Sequence, residues 1–176
     1  MSFSSEDRRV RLLTEDDLGM LLSWRNHIDV RRFMYTQHEI SIQEHTNWFE
    51  SVKDNPQKCL LICEQNHQPF AFGSLSILGH GKIADWGFYA APHAPRGMGS
   101  HLAGGILEHA FNVLHLNKLC SEALAYNEKS IKFQEGLGFS REGLLRGQHY
   151  DGSDFIDVIR FGLLHAEWKQ NTEGLK

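Results

Sequence analysis

The hydrophobic pattern of the first third of the chain predicts one strand followed by two helices. Residues 8–13 alternate in polarity, as a short strand does. Residues 14–17 resemble a capping box, and apolar residues at helical spacing follow over 18–25. A second capping box at 41–44 begins another helix, which is predicted to end at Lys53.

From residue 58 onward the pattern changes to strands. An unbroken apolar run at 59–63 is typical of a central strand, and 70–78 and 83–90 complete a three-strand meander. The remaining elements are a helix at 99–115, a strand at 118–125, a short helix capped by Asn127, and strands at 143–150 and 154–164 joined by a hairpin turn at Asp151-Gly152.

This order, β-α-α-β-β-β-α-β-α-β-β, predicts a mixed α/β (α+β) domain. A strand–helix–strand unit over 83–125 implies one parallel strand pair within a sheet that is otherwise antiparallel. The 176 residues fit one domain, since domains commonly hold roughly 100–200 residues. We expect that domain to span residues 1–168, with 169–176 as a loose tail.

The composition is that of an ordinary globular protein, with 41% hydrophobic and 23% charged residues. A net charge of -4 argues against a nucleic-acid partner. Residues 1–9 lack the apolar segment of a secretory signal, and no run approaches the ~18 apolar residues of a membrane span. We therefore expect a cytoplasmic protein without a membrane partner. Cys59, Cys63 and Cys120 are expected to be reduced thiols, and no spacing predicts a metal site.

The most informative local feature is a glycine-containing turn, Arg96-Gly97-Met98-Gly99-Ser100, between a strand and the long helix. Two glycines allow backbone N–H groups to converge at a helix N-terminus, which is a geometry that holds phosphate or pyrophosphate. A P-loop is excluded because Ile83 follows Gly81-Lys82, and the dinucleotide fingerprint is excluded because Leu102 stands at its third position.

Together with this turn, three further segments resemble the GCN5-related N-acetyltransferase (GNAT) superfamily. They are the strand residues 87–90, the segment 127–130, and Leu137-Gly138-Phe139. The resemblance implies a mostly antiparallel sheet with one splayed parallel pair, acetyl-coenzyme A as donor and no metal. It places the pyrophosphate on backbone amides of 96–101 and the pantetheine beside 88–90. The implied contacts to acetyl-coenzyme A are Phe88, Tyr89, Ala90, Arg96, Gly97, Met98, Gly99, Ser100, His101, Asn127, Ser130 and Phe133.

The chain departs from the superfamily at two positions. His101 replaces a small residue of the glycine turn, and Gln134 stands where many members have the tyrosine that protonates the departing thiolate. Because a carboxamide has no titratable proton, Gln134 can hydrogen-bond the sulfur but cannot act as a general acid. Tyr89, Tyr126 or solvent remain as proton sources.

Carboxylates are the natural acceptors for the proton that the amine loses. Asp85 and Glu122 lie on the two strands beside the expected cleft and are our candidate bases, with Tyr89 as a further catalytic candidate. We expect direct transfer without a covalent acyl-enzyme. Cys120, on a flanking strand, is the residue that would have to act in the covalent alternative.

The N-terminal third resembles one branch of the superfamily through Trp24-Arg25-Asn26 and residues 32–35, 40–41 and 45–49. That branch acetylates the 4-amino group of a UDP-linked 4-amino-4,6-dideoxy-sugar on the route to pseudaminic acid, a sugar of flagellin and surface glycans. Arg25 is expected at the UDP phosphates. The expected apolar wall against the sugar consists of Met34, Tyr35, Trp48, Phe49 and Tyr89.

Two alternatives stay open. Ribosomal-protein-type N-terminal alanine acetyltransferases share the Trp-Arg-Asn-like start, and a non-catalytic acetyl-coenzyme A sensor would explain Gln134. A sensor would bind the cofactor without turning it over. We expect either a monomer or a homodimer.

Overall fold

The computed structural model describes residues 8–95 and 97–173. Within these ranges seven strands form one sheet in the order β1-β2-β3-β4-β5-β7-β6. The β4–β5 pair is parallel and the other neighbouring pairs are antiparallel, as predicted. The strands are β1 Arg8–Leu12, β2 Lys58–Gln65, β3 Gln68–Leu78, β4 Ile83–Ala90, β5 Lys118–Leu124, β6 Ser140–Tyr150 and β7 Phe155–Leu164.

Helices cover both faces of the sheet. They are α1 Leu18–Asn26, preceded by a 3-10 turn at Glu15–Asp17, α2 Ile28–Arg31, α3 Ile42–Val52, α4 Met98–Glu108, which continues as a π-helical turn at His109–Val113, α5 Glu128–Gly136 and α6 His165–Glu173. The sequence did not predict α2 or α6. Since α6 runs through residues 169–173, the expected loose tail is helical there, and the rest of that tail lies outside the described residues.

Two apolar cores lie on opposite faces of the sheet. On one face, α4 packs on the central strands through buried residues that include Ile106, Leu75 and Phe161. On the other face, α1 and α3 pack on β2 and β3 through Leu21 and Phe49, which belong to a cluster with Ile62 and Phe72. The central strands are therefore buried on both faces, which agrees with the apolar run at 59–63.

The predicted caps are present at two helices. The Ser41 hydroxyl accepts a hydrogen bond from the Glu44 N–H at 3.2 Å, and the Glu44 carboxylate accepts from the Ser41 N–H at 2.8 Å. The side-chain Oδ1 of Asn127 accepts from the Ser130 N–H at 3.1 Å and fixes the start of α5. This cap places the first turn of α5 beside the end of β5.

The feature that creates the site is the short contact between β4 and β5. Their pairing covers residues 83–85 opposite 118–120, and beyond this point the two strands separate. β5 continues its pairing with β7 as far as Leu124, and β4 continues its pairing with β3 as far as Ala90. The splayed parallel pair expected from the resemblance is therefore present, with a cleft beside residues 86–90.

Candidate active site

A cavity of about 450 Å³ lies where β4 and β5 separate. Its walls come from both strands, from α5 and from the loop that follows α2. The lining side chains include Met34, Tyr35, Phe72, Asp85, Trp86, Phe88, Tyr89, Ser121, Glu122, Asn127, Ser130, Phe133, Gln134 and Arg160. The volume falls within the ~300–1,000 Å³ range of small-molecule sites.

A row of stacked aromatic rings holds α5 against β4 across this cleft. Phe133 of α5 stacks on Phe88 of β4, with ring centroids 5.2 Å apart and planes 15° apart. Phe88 stacks in turn on Trp86 at 5.6 Å, and Trp86 stacks on Phe139 at 5.4 Å. Offset aromatic pairs of this kind contribute about 0.5–1.5 kcal/mol each beyond burial. The separation of the strands is therefore fixed by packing.

Gln134 presents an unusual polar group to the cavity. Its side chain is 3% exposed, and its Nε2 lies 3.3 Å from the Ser130 hydroxyl. Its Oε1 is buried with no hydrogen-bond partner in the part of the chain that the structure describes. Leaving a buried polar atom unpaired costs about 1–3 kcal/mol. Such an orphan at a cavity wall indicates a contact with a bound molecule, and therefore fits the cofactor expected in this cleft.

The glycine turn supplies the other end of the cleft. Gly97 adopts φ 86°, in the left-handed region that favours glycine, and α4 begins at the next residue. The first amides of a helix lack acceptors within the helix and carry its positive dipole end, so this turn suits a phosphate. Met98 is buried in the core at 7% exposure, and only its backbone is available to a ligand.

Some expected cofactor contacts are not tested by this geometry. Arg96 and the side chain of His101 lie outside the described residues. Ala90 and Ser100 flank the cleft on β4 and α4 without lining the cavity. Gly99 lies against α5, where an added Cβ would approach Phe133 to 3.6 Å.

Both candidate bases belong to one polar network on the cavity wall. The Tyr35 hydroxyl donates to Glu122 Oε2 at 2.5 Å, and Glu122 Oε1 lies 3.1 Å from the Arg160 guanidinium. The same guanidinium lies 3.9 Å from Asp85 Oδ1. Partial burial and the hydrogen bond to Glu122 raise the pKa of Tyr35 above its usual value. The network therefore presents two carboxylates, oriented by a phenol and a guanidinium.

Arg160 was not predicted from the sequence. It enters the network because the β5–β7 register places it directly opposite Glu122. Cross-strand partners on one face lie about 4.5–5.5 Å apart at Cβ, which brings the two side chains together. An isolated arginine in a predicted strand carries no signal of this pairing until the strand order is known.

A second cavity of about 320 Å³ shares Phe72 and Tyr89 with the first. Its remaining walls come from α1, α3 and the segment between them: Arg25, Thr36, Ile40, Glu44, His45 and Trp48. Arg25 Nη2 donates to the Thr36 carbonyl at 2.8 Å, whereas its Nη1 is buried without a partner among residues 8–95 and 97–173. A guanidinium N–H is thus left for a ligand.

His45 adds a second unpaired donor or acceptor to this cavity. It is 6% exposed, stacks on Trp48 at 5.1 Å with planes 22° apart, and its Nε2 has no partner within the described chain. Burial and the nearby Arg25 charge lower the pKa of His45, which favours a neutral ring. Burial also lowers the pKa of Arg25 and raises that of Tyr89.

The expected acceptor residues divide between core and cavities. Met34 and Tyr35 line the first cavity, Trp48 lines the second, and Tyr89 lines both. Phe49 does not line either cavity. It is 5% exposed and packs in the core because the apolar face of α3 turns it toward the sheet. His45 was missed, although its spacing of three from Trp48 places both on one helix face.

The described ranges contain no group of three or more metal-ligating side chains arranged to hold an ion. Within the same ranges, no helix is both long and apolar enough to cross a membrane.

Comparison with known proteins places this site in a family. Residues 8–140 match the model of the acetyltransferase (GNAT) domain. The acetyltransferase PseH of Campylobacter jejuni is 27% identical over 129 residues, covering 73% of this chain and 80% of that protein. The spermidine N(1)-acetyltransferase of Vibrio cholerae is 21% identical over 169 residues, covering 93% and 96%.

Solved structures agree with the fold. The V. cholerae spermidine N-acetyltransferase, solved in complex with CoA and spermine, superposes with a TM-score of 0.85 at 20% identity, covering 94% of this chain and 99% of that one. A Staphylococcus aureus N-acetyltransferase superposes with a TM-score of 0.75 at 21% identity, covering 90% and 98%. The chain belongs to the GNAT family and is an N-acetyltransferase, in a family that uses acetyl-coenzyme A.

Proposed function

We propose that this protein transfers acetyl from acetyl-coenzyme A to the 4-amino group of a UDP-linked 4-amino-4,6-dideoxy-sugar, on the route to pseudaminic acid. The resemblance of residues 24–49 to that branch supports this acceptor. The 27% identity with the C. jejuni acetyltransferase supports it as well.

The single observation that carries the proposal is the unpaired Nη1 of Arg25 in the second cavity. A buried guanidinium N–H requires an electron-rich partner, such as a phosphate oxygen or a base carbonyl. The aromatic wall of Trp48, Phe72 and Tyr89 suits a nucleotide sugar. A polyamine would bring positive charge toward Arg25, which disfavours it at this place.

The donor would occupy the cleft between β4 and β5. Backbone amides at residues 97–100 would hold its pyrophosphate, and the edge of β4 at 86–90 that β5 leaves unpaired would hold its pantetheine beside the start of α5. When bound, the cofactor supplies an acetyl thioester. The two cavities meet at Tyr89, so the acceptor amine would approach the thioester beside that ring.

In this mechanism the chain's own residues orient the amine and take up its proton. Glu122 is held by Tyr35 and Arg160, and Asp85 lies on the other side of that guanidinium. Either carboxylate can accept the proton directly or through water. An amine on an oxygen-substituted ring is less basic than lysine, whose pKa is ~10.4, so it needs less assistance.

Direct transfer is favoured over an acyl-cysteine route. Burial raises the pKa of the Cys120 thiol above its usual value. Cys120 is therefore protonated near neutral pH, and a protonated thiol is a much weaker nucleophile than a thiolate. We expect Cys120→Ser to retain turnover. Loss of turnover with retained cofactor binding would instead support a covalent intermediate.

The decisive experiment is acetyl-coenzyme A-dependent thiol release with mass detection of the product. The acceptors offered are UDP-4-amino-4,6-dideoxy-N-acetyl-altrosamine, spermidine and a panel of N-terminal alanine peptides. Addition of one acetyl group to the sugar nucleotide alone supports the proposal. Acetylated peptide or acetylated spermidine with untouched sugar refutes it, and cofactor binding without turnover of any acceptor indicates a sensor.

A further inference from the structure

We propose that Gln134 stabilises the sulfur of the departing coenzyme A through its side-chain N–H, so that coenzyme A leaves the site as an unprotonated thiolate. This inference depends on the use of acetyl-coenzyme A and not on which amine is acetylated. It assigns a chemical task to the position where the sequence lacks the tyrosine expected from its superfamily.

The carboxamide of Gln134 is both buried and half-satisfied. Its side chain lines the large cavity at 3% exposure, and one of its two polar atoms contacts the Ser130 hydroxyl at 3.3 Å. The other polar atom has no partner within the described residues. Ser130 lies one helical turn earlier, and its N–H is already used by Asn127, so its hydroxyl is left to hold Gln134.

The Ser130 hydroxyl can hold either end of the carboxamide. It both donates and accepts hydrogen bonds, whereas the oxygen of a carboxamide accepts and its nitrogen donates. Turning the amide of Gln134 by half a rotation lets the Ser130 hydroxyl donate to Oε1 and presents Nε2 to the cavity. An electron-rich sulfur in the cleft favours the orientation with Nε2 toward the cavity. In that orientation the Gln134 N–H donates a hydrogen bond to the sulfur, and the Ser130 hydroxyl holds the carboxamide in place.

The tyrosine hydroxyls do not offer an easy alternative. Those of Tyr35, Tyr126 and Tyr150 already donate to Glu122, to the Arg32 carbonyl and to the Gly152 carbonyl. Tyr89 lines the cavity, but burial raises its pKa above the usual value. Proton transfer from such a phenol to an alkyl thiolate runs uphill, because the thiol formed is the stronger acid.

The bond changes balance without an acid at the sulfur. The amine lone pair forms a C–N bond to the acetyl carbonyl carbon, and the C–S bond breaks with its electron pair left on sulfur. The proton lost by nitrogen passes to the carboxylate of Glu122 or Asp85 and then to water. The thiolate takes a proton from solvent after release. A hydrogen bond to a charged acceptor is worth enough to favour bound thiolate over thiol by about ten- to hundredfold.

The test measures binding of free coenzyme A by calorimetry between pH 6.5 and pH 10, with desulfo-coenzyme A as the reference ligand. In the native protein, the affinity for coenzyme A relative to the reference should rise about tenfold or more with pH. Gln134→Met keeps the length of the side chain and removes the donor, so this rise should disappear while desulfo-coenzyme A binds as before.

Two further variants keep the proposal falsifiable if Gln134→Met does not fold. Gln134→Glu places a carboxylate at the sulfur, so relative affinity should fall with rising pH. Tyr89→Phe should leave the native pH dependence intact. A native protein without the rise, a Gln134→Met protein that keeps it, or its loss in Tyr89→Phe would each overturn the inference. Because no acceptor amine is present, none of these results depends on the amino-sugar proposal.

Discussion

Arg25→Ala tests the proposed acceptor site most directly. In the native protein Nη2 is used by the Thr36 carbonyl, whereas Nη1 is left for a ligand. One hydrogen bond from a charged donor to the ligand is then lost, worth about 1.5–3 kcal/mol. Since about 1.4 kcal/mol corresponds to a tenfold change, we expect KM for the UDP-sugar to rise about 10- to 100-fold. KM for acetyl-coenzyme A should stay unchanged, because Arg25 does not line the cleft between β4 and β5.

The same substitution should leave the folded state intact. Burial lowers the pKa of Arg25, which means that the guanidinium is partly desolvated without a full set of partners. Its removal relieves that desolvation, and the exposed Thr36 can rehydrate its carbonyl. We therefore expect a Tm within a few degrees of native, as for surface substitutions of about 0.5 kcal/mol.

The assay is initial-rate kinetics with each substrate varied in turn. Arg141→Ala is the matched control, because Arg141 on the exposed strand β6 pairs with Glu135 of α5 and lines neither cavity. Arg25→Lys should recover only part of the loss, since an ammonium lacks the fork of the guanidinium. Equal increases in KM for both substrates would refute a substrate contact and make Arg25 a structural residue.

Three further predictions concern catalysis and stability. Glu122→Gln should lower kcat by about 10²-fold or more, because it removes a base while keeping an acceptor for Tyr35; near-native initial rates would refute Glu122 as the base. Gly138→Ala should lower the free energy of unfolding by about 1–2 kcal/mol, because Gly138 adopts φ 93°. The measurement is urea denaturation, and the control is Gly136→Ala in α5. No atom lies within 4 Å of the Cβ added there, so this variant should have an unchanged or higher free energy of unfolding. Asp17→Asn should cost about 2 kcal/mol at pH 7, where the native carboxylate accepts from Arg11 at 2.7 Å. Since Arg11 lowers the pKa of Asp17, this stabilisation is present above the unfolded pKa of ~3.9 and is lost as pH falls through the folded value, so the two unfolding curves should converge in acid.

The order of elements could be predicted because each is specified locally. The caps at Ser41 and Asn127, the apolar run of β2 and the glycine turn each carry their own signal. α2 is only four residues long, and α6 is largely polar, so neither shows helical periodicity in the sequence. The position of α6 depends on tertiary contacts, such as the tilted ring contact of Trp168 with Phe111, whose centroids lie 5.2 Å apart.

Site residues in local motifs, such as the glycine turn and the Asn127 cap, could be predicted from the sequence. Site residues brought together by the pairing register of distant strands could not. The pairing of Arg160 with Glu122 follows from two strands that are far apart in sequence. Trp48 lines the second cavity, whereas Phe49 packs in the core. This difference depends on how α3 is rotated against the sheet, which helical periodicity alone does not determine. The resemblance to the superfamily thus indicated the cleft, and packing determines which side chains line it.

The row of rings from Phe133 to Phe139 fixes the cleft between β4 and β5 by the protein's own packing, so the proposed donor site is formed before acetyl-coenzyme A binds. Binding then orders mainly the ligand, and the protein loses little freedom of its own. The proposed acceptor cavity draws most of its lining from a different part of the chain, namely Arg25, Thr36, Ile40, Glu44, His45 and Trp48. On the proposed function, substitutions of residues that line only this second cavity can therefore change which amine is accepted, while the cleft between β4 and β5 keeps its shape.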